Sequence, residues 1–245
     1  MGHVLNIDHF HMSEPTFPPH PHAGFSAITW MLPWSPGAFV NRDSQGDRSR
    51  IAPGSFHGTV AGSGMMHEEI PEAPGTDCEG LQIFVKLPEA LELSPPRSFH
   101  MDDEQIPKLK KEASTVRVLL GEVEGVRSTI QEPSGTMLAQ ASVQGRLELV
   151  VPDGVDAFAL VLRGEGRLAG QRAELHDATS LTAGPLAIEG DGLEVLIGWS
   201  ARMPRMPAFR GPFCMFNEKH LADAARRFQA GEMGALTPSP VSWSR

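Results

Sequence analysis

Short alternating or wholly apolar runs, cut by Gly, Pro, Asn and Asp at intervals of roughly ten to fifteen residues, constrain this chain to a β sandwich or barrel. Residues 25–32 (FSAITWML) are rich in β-branched and aromatic side chains. Residues 81–87 (LQIFVKL) alternate, with Leu81, Ile83, Val85 and Leu87 on one face and Gln82 and Lys86 on the other. Pro88 ends that strand because it has no N–H to donate. Residues 116–120, 136–143, 147–151, 158–162 and 193–199 repeat the pattern, separated by turns such as Pro133-Ser134-Gly135, Pro152-Asp153-Gly154 and Gly190-Asp191-Gly192. With 25 Gly and 21 Pro in 245 residues, the chain is turn-rich without reaching the composition of a disordered one.

Residues 93–111 (LSPPRSFHMDDEQIPKLKK) are polar and proline-bearing and read as a linker. The expected domains are therefore 1–100 and 101–245. One helix is expected near the end: Asn217 is a good N-cap, Leu221, Ala224, Ala225 and Phe228 recur at helical spacing, and Gly231 is placed to stop it. Its apolar stripe should pack on the β core, and the tail after Leu236 is expected to be mobile.

The net charge of −9 argues against direct nucleic-acid binding, which rests on clustered basic residues. Cys78 and Cys214 are far apart and form no CxxC pair, which suits a reducing compartment. The N-terminus has no basic region followed by an apolar stretch, and no run of about 18 apolar residues exists to span a membrane. A cytoplasmic protein is the expectation.

Chemistry concentrates in the first half. In His20-Pro21-His22, two imidazoles at i and i+2 share one face if the segment is extended. His67-Glu68-Glu69 repeats the geometry, with His67 and Glu69 on one face and Glu68 turned away. Two such strands facing across a small barrel would gather three imidazoles and a carboxylate at one point, a mixture that borderline divalent metals accept.

The blocks FPPHPHAGFSAITWML, RDSQGDRSRIAPG and AGSGMMHEEIP, followed by LQIFVKLP and, late in the chain, FRGPFCMFNEKHLADAARRFQAGEMG, resemble in order the signatures of the pirin family. The resemblance implies an all-β bicupin: two tandem antiparallel β-barrels (cupin domains) with a C-terminal helix, and one metal in the first barrel. By position it implies the ligands His20, His22, His67 and Glu69, with Glu69 also the catalytic base. One divalent ion is implied, iron by resemblance, although the ligand set also suits Ni, Cu, Co or Zn. The second half has only His176 before the helix, so a metal-free second barrel is expected. The implied activity is a quercetinase-type dioxygenase, cleaving the ring of a flavonol or similar aromatic substrate with dioxygen. The alternative is a non-catalytic metal-binding regulatory protein whose metal state alters the surface seen by a protein partner. A bicupin that has lost its metal is a third reading, against which the intact ligand set argues.

Several positions depart from the family pattern. Ala23 and Ser26 stand where an Arg and a Glu are usual, so Ser26 is read as the loss of an acid–base group near the metal. Asn41-Arg42-Asp43-Ser44 replaces His-Asp-Ser, and the first motif lies close to the start of the chain, as in a pirin with a shortened N-terminus. His57 has the spacing of a general cupin ligand but is read as flanking the pocket. His9-Phe10-His11 is read as a surface pair, Met65 and Met66 as core, and Trp30 and Trp34 as either core or the wall of an aromatic pocket.

Overall fold

The computed structural model describes residues 2–237. They form two compact units, one of residues 5–105 together with the chain from Arg205 onward, the other of residues 106–204 with the first few residues. The division thus falls at Gln105/Ile106, and the C-terminal segment groups with the first half of the chain, where the sequence had suggested the second. The expectation for the tail after Leu236 falls, apart from Thr237, outside the described residues.

In the first unit, nine strands run in chain order: β1 (Val4–Met12), β2 (His20–His22), β3 (Phe25–Met31), β4 (Phe39–Asp43), β5 (Arg50–Ile51), β6 (Phe56–Val60), β7 (Met65–Pro71), β8 (Cys78–Lys86) and β9 (Arg97–Met101). They make two sheets, ordered β1-β8-β3-β6-β9 and β2-β7-β4-β5. β9 lies inside the segment read as a linker. It pairs with β6 in the register Phe56↔Met101 to Val60↔Arg97, because Phe99 and Met101 give an otherwise polar stretch enough apolar surface for an edge strand.

The other unit holds β10 (Lys108–Lys111), β11 (Ser114–Leu120), the short pair β12 (Glu122–Val123) and β13 (Val126–Arg127), β14 (Met137–Val151), β15 (Val155–Arg163), β16 (Gly166–Leu168), β17 (Gln171–Ala173), β18 (Ala178–Leu181) and β19 (Gly184–Ala201). Its main sheet runs β10-β11-β14-β19-β15-β18. The runs 136–143 and 147–151 are one strand, not two. Gly145, at φ 74°, sits opposite Gly190 in the ladder, and a register shift at Val143/Gln144 lets both long strands pass through as a bulge. The Gly-rich signals mark that bulge and not a chain reversal.

The C-terminal segment adds β20 (Ala208–Arg210), β21 (Phe213–Met215) and α1 (Glu218–Gln229). Asn217 caps α1 as expected, accepting a hydrogen bond from the Lys219 N–H, and Leu221 and Ala224 are buried. They pack with Phe213, Met215 and Met233 against Ala23, beside HPH. Gly24, at φ +84°, turns the chain from β2 into β3, and any Cβ there would meet the Cys214 carbonyl oxygen at 2.2 Å. Only glycine fits this approach.

Candidate metal centre and its cavity

β2 and β7 are antiparallel neighbours, with His20 directly opposite His67 and His22 opposite Met65. The histidines therefore meet by lying side by side in one sheet, where the sequence suggested strands facing across a barrel. One donor atom from each of His20, His22 and His67 lies within 4.8 Å of the others. The ring centroids are 4.6–4.8 Å apart, and His20 Nε2 and His67 Nε2 face each other at 3.1 Å.

Glu69 lies two residues along β7 and lines the same cavity, but its carboxylate is not among the atoms within that distance. It accepts a hydrogen bond from the Thr29 hydroxyl on β3. Glu68 points to the opposite face, is fully buried and pairs with Arg42. Alternation along β7 produces this split, and the sequence reading of it holds.

All three imidazoles are held neutral. Burial lowers His22 to about 3, with the neighbouring His20 adding to the effect. Burial and then His22 and His20 drive His67 well below its ordinary value. His20 is lowered by burial, partly offset by the Pro18 carbonyl, which lies 2.9 Å from its Nδ1. That contact places the His20 proton on Nδ1 and leaves the Nε2 lone pair to the cavity. His67 Nδ1 is buried without a hydrogen-bond partner. Three neutral, convergent imidazoles beside a carboxylate form a donor set that suits a borderline divalent metal, so the residues fit the ion the resemblance implies.

Burial pushes the Glu69 carboxyl up to about 7, against the downward pull of the Thr29 hydroxyl, and the Asp47 charge adds to the rise. A carboxyl in that range can take up and release a proton near neutrality.

The cavity has a volume of about 430 Å³ and lies between the two sheets of the first unit. Asp8, Phe10 and Met12 of β1, Phe17, Phe39 of β4, and Gln82 and Phe84 of β8 complete its wall. Neither Trp30 nor Trp34 lines it: their indole N–H groups donate to the Gly54 carbonyl and to Glu79. The aromatic wall is phenylalanine. Phe84 was legible from the alternation of β8, since it shares a face with Gln82, but that face had been read as polar.

Ser26 is buried and paired with Val85, on the side of β3 opposite Phe25, Ala27 and Thr29. The side facing the cavity carries Thr29, so a carboxylate at position 26 would point away from the histidines. Its absence removes nothing from the site. His57 is fully buried on β6, opposite Thr29, but stands outside the histidine group; its nearest charged neighbour is Asp47, with Nε2–Oδ1 at 4.0 Å. His9 and His11 occupy the outer face of β1. Cys78 and Cys214 are buried free thiols. No helix among the described residues is long and apolar enough to cross a membrane.

A β-barrel unit with three convergent histidines under an aromatic cavity defines a cupin with a candidate metal centre. Residues 1–85 match the family model described as Pirin. A pirin-like protein of Solanum lycopersicum is 31% identical across 94% of this chain and 81% of its own length. Among solved structures, quercetin 2,3-dioxygenase from Acinetobacter baumannii superimposes with a TM-score of 0.86 at 23% identity, covering 96% of this chain and 87% of that one. Bacterial pirin YhhW of Escherichia coli, solved in complex with nickel(II), gives 0.68 at 15% identity over 82% and 84%. The chain belongs to the pirin family and has its bicupin fold.

Proposed function

We propose that this chain is a metal-dependent dioxygenase of the quercetinase type, opening the ring of a flavonol or similar aromatic substrate with dioxygen. His20, His22, His67 and Glu69 hold one divalent ion, taken to be iron, in the first unit only. The observation that carries this reading is the meeting of three convergent imidazoles and the Glu69 carboxyl in one cavity walled by phenylalanine. Its volume lies in the range of small-molecule sites.

When bound, the metal supplies a Lewis-acid contact for the substrate's oxygen and the redox chemistry that dioxygen needs. Phe10, Phe17, Phe39 and Phe84 enclose the aromatic rings and exclude water, and Gln82 offers a polar contact. Glu69 accepts the substrate's hydroxyl proton, with the Thr29 hydroxyl fixing the orientation of its carboxylate. The mainly aliphatic interior of the other unit supports confining the metal to the first.

The test is metal content with turnover. His20→Ala abolishes both bound metal and quercetin consumption, while Glu69→Gln lowers turnover by about 10²-fold or more, the scale of a lost general base. Turnover by metal-stripped protein refutes the proposal. Ser26 faces away from the histidines, so the glutamate missing at that position gives no support to the non-catalytic regulatory alternative.

A further inference from the structure

β1 alternates between two environments. Asp8, Phe10 and Met12 face the cavity, while His9 and His11 project from the outer face of the sheet. Glu79, on the neighbouring strand β8, projects to that same outer face, since Gln82 and Phe84 take the inner one. His9 Nε2 lies 2.9 Å from Glu79 Oε1, and one donor atom each from His9, His11 and Glu79 falls within 4.8 Å of the others. The two imidazole rings lie 5.7 Å apart at 29°. Asp77, at 2.9 Å from His11 Nδ1, stands next to them as a fourth oxygen donor.

We propose that His9, His11 and Glu79 form a second metal site, at the β1 edge of the sheet on the side away from the cavity, selective for zinc or copper(II). An isolated surface ion pair would explain either histidine alone. It does not explain why both converge with a carboxylate whose orientation is already set. The Trp34 indole N–H donates to Glu79 Oε1 at 2.9 Å, and the Glu79 backbone N–H is held by the Ser35 hydroxyl at 3.0 Å. Carboxylates pinned in this way by a neighbouring donor are characteristic of built metal sites.

The donor chemistry selects the ion. Two nitrogens and one carboxylate suit zinc and copper(II), and in a tetrahedral zinc site at 2.0–2.1 Å the donors lie about 3.4 Å apart. Small side-chain rotations that open the 2.9 Å His9–Glu79 contact and draw His11 in from within 4.8 Å reach that value. His9 and Glu79 are mostly buried, with side chains 14% and 16% exposed, whereas His11 is 60% exposed, so the remaining coordination positions open to solvent. β1 is the edge strand of its sheet, and an ion here ties that edge to β8.

The experiment is a calorimetric titration of the full chain, as purified with its interior ion, with zinc alone. One further equivalent binds to wild type. His9→Ala/His11→Ala loses it, and Glu79→Gln, which keeps an acceptor for Trp34, weakens it about tenfold or more. Copper(II) quenches Trp34 emission in wild type, and the quenched component disappears in Trp34→Phe. Zinc uptake unchanged in both ligand variants, no uptake beyond the interior ion, or quenching that persists in Trp34→Phe would each overturn the proposal.

Discussion

Residues 106–204 bury Val116, Val118, Leu147, Leu149, Ile188, Leu193 and Val195 in one aliphatic cluster, while the first unit buries His22, Thr29, Asn41, Asp43, His57, Thr59 and His67. An aliphatic interior gains roughly 25 cal/mol for each Å² removed from water. The polar one leaves atoms unsatisfied: both ring nitrogens of His57, Thr59 Oγ1 and Asn41 Oδ1 are buried without partners. Burying these polar groups without partners lowers stability in the unit that carries the site, and that unit recruits additional structure. The C-terminal segment supplies it, through Ser44 Oγ donating to the Met233 carbonyl and Arg227 to the Ser63 carbonyl.

A further tie runs through Lys86 and Glu92. The Lys86 ammonium is fully buried, 2.7 Å from Glu92, and also donates to the carbonyls of Gly24 and Leu87. Glu92 in turn accepts from the Phe216 N–H and contacts His220 of α1 at 3.0 Å. Lys86→Met leaves Glu92 charged and buried, a loss of about 3–5 kcal/mol. Lys86→Met/Glu92→Gln, which keeps an acceptor for Phe216, recovers most of it. Urea unfolding of both variants measures the difference. If the single variant is as stable as wild type, the C-terminal clamp does not compensate for the polar interior, and this account of the contrast fails.

Lys86 also marks where the sequence was readable and where it was not. The strand 81–87 was evident from alternation, as were 25–32 and the Asn217 cap, because period and capping chemistry are local signals. That the second face is also covered, with Lys86 buried and Gln82 and Phe84 half-buried along the cavity, was not evident, since that face looks solvent-exposed until its neighbours are known. Burial of Phe84 depends on the other sheet, and burial of Lys86 on Glu92 and Phe216, the latter 130 positions away in the chain. The histidine grouping was legible because i, i+2 spacing fixes a shared face. Its placement on adjacent strands was not, because register is a long-range property. Asp8, Phe10, Phe17 and Phe39 went unnoticed for the same reason: no motif spacing links them to HPH.

His57 provides the next test of the contrast. Burial lowers it to about 4 from its ordinary 6.5, outweighing the Asp47 charge that raises it. Between those values the unfolded chain takes up a proton that the folded chain refuses, so stability falls as pH falls. At about 1.4 kcal/mol per pH unit, this residue accounts for about 3 kcal/mol lost between pH 6.5 and 4. In metal-free protein, His57→Gln therefore shows a shallower acid dependence by about that amount, read by urea unfolding at a series of pH values. An unchanged pH profile would mean that His57 is not held neutral. Residues 106–204 offer no buried histidine for comparison, since their one histidine, His176, is exposed.

The smallest effect compares two glycines in equivalent surroundings. A Cβ on Gly80 would lie 2.5 Å from the Phe10 ring and 3.0 Å from the Trp30 carbonyl oxygen; one on Gly198 would lie 2.5 Å from the Phe158 ring. Both positions are strand interiors where an aromatic ring fills the space a side chain would need. Alanine at either overpacks its unit by about 1–3 kcal/mol. The consequences diverge because Phe10 lines the cavity and stacks on Phe39 at 5.2 Å, whereas Phe158 is buried in the other unit. Gly80→Ala shifts the Phe10 ring and, on the proposed function, weakens binding of a quercetin probe with metal content unchanged; Gly198→Ala lowers the melting temperature and leaves affinity for the probe alone. Equal ligand affinities in the two variants would show that the phenylalanine wall does not hold the substrate, and the polar interior of the first unit would then need another explanation than the cavity it surrounds.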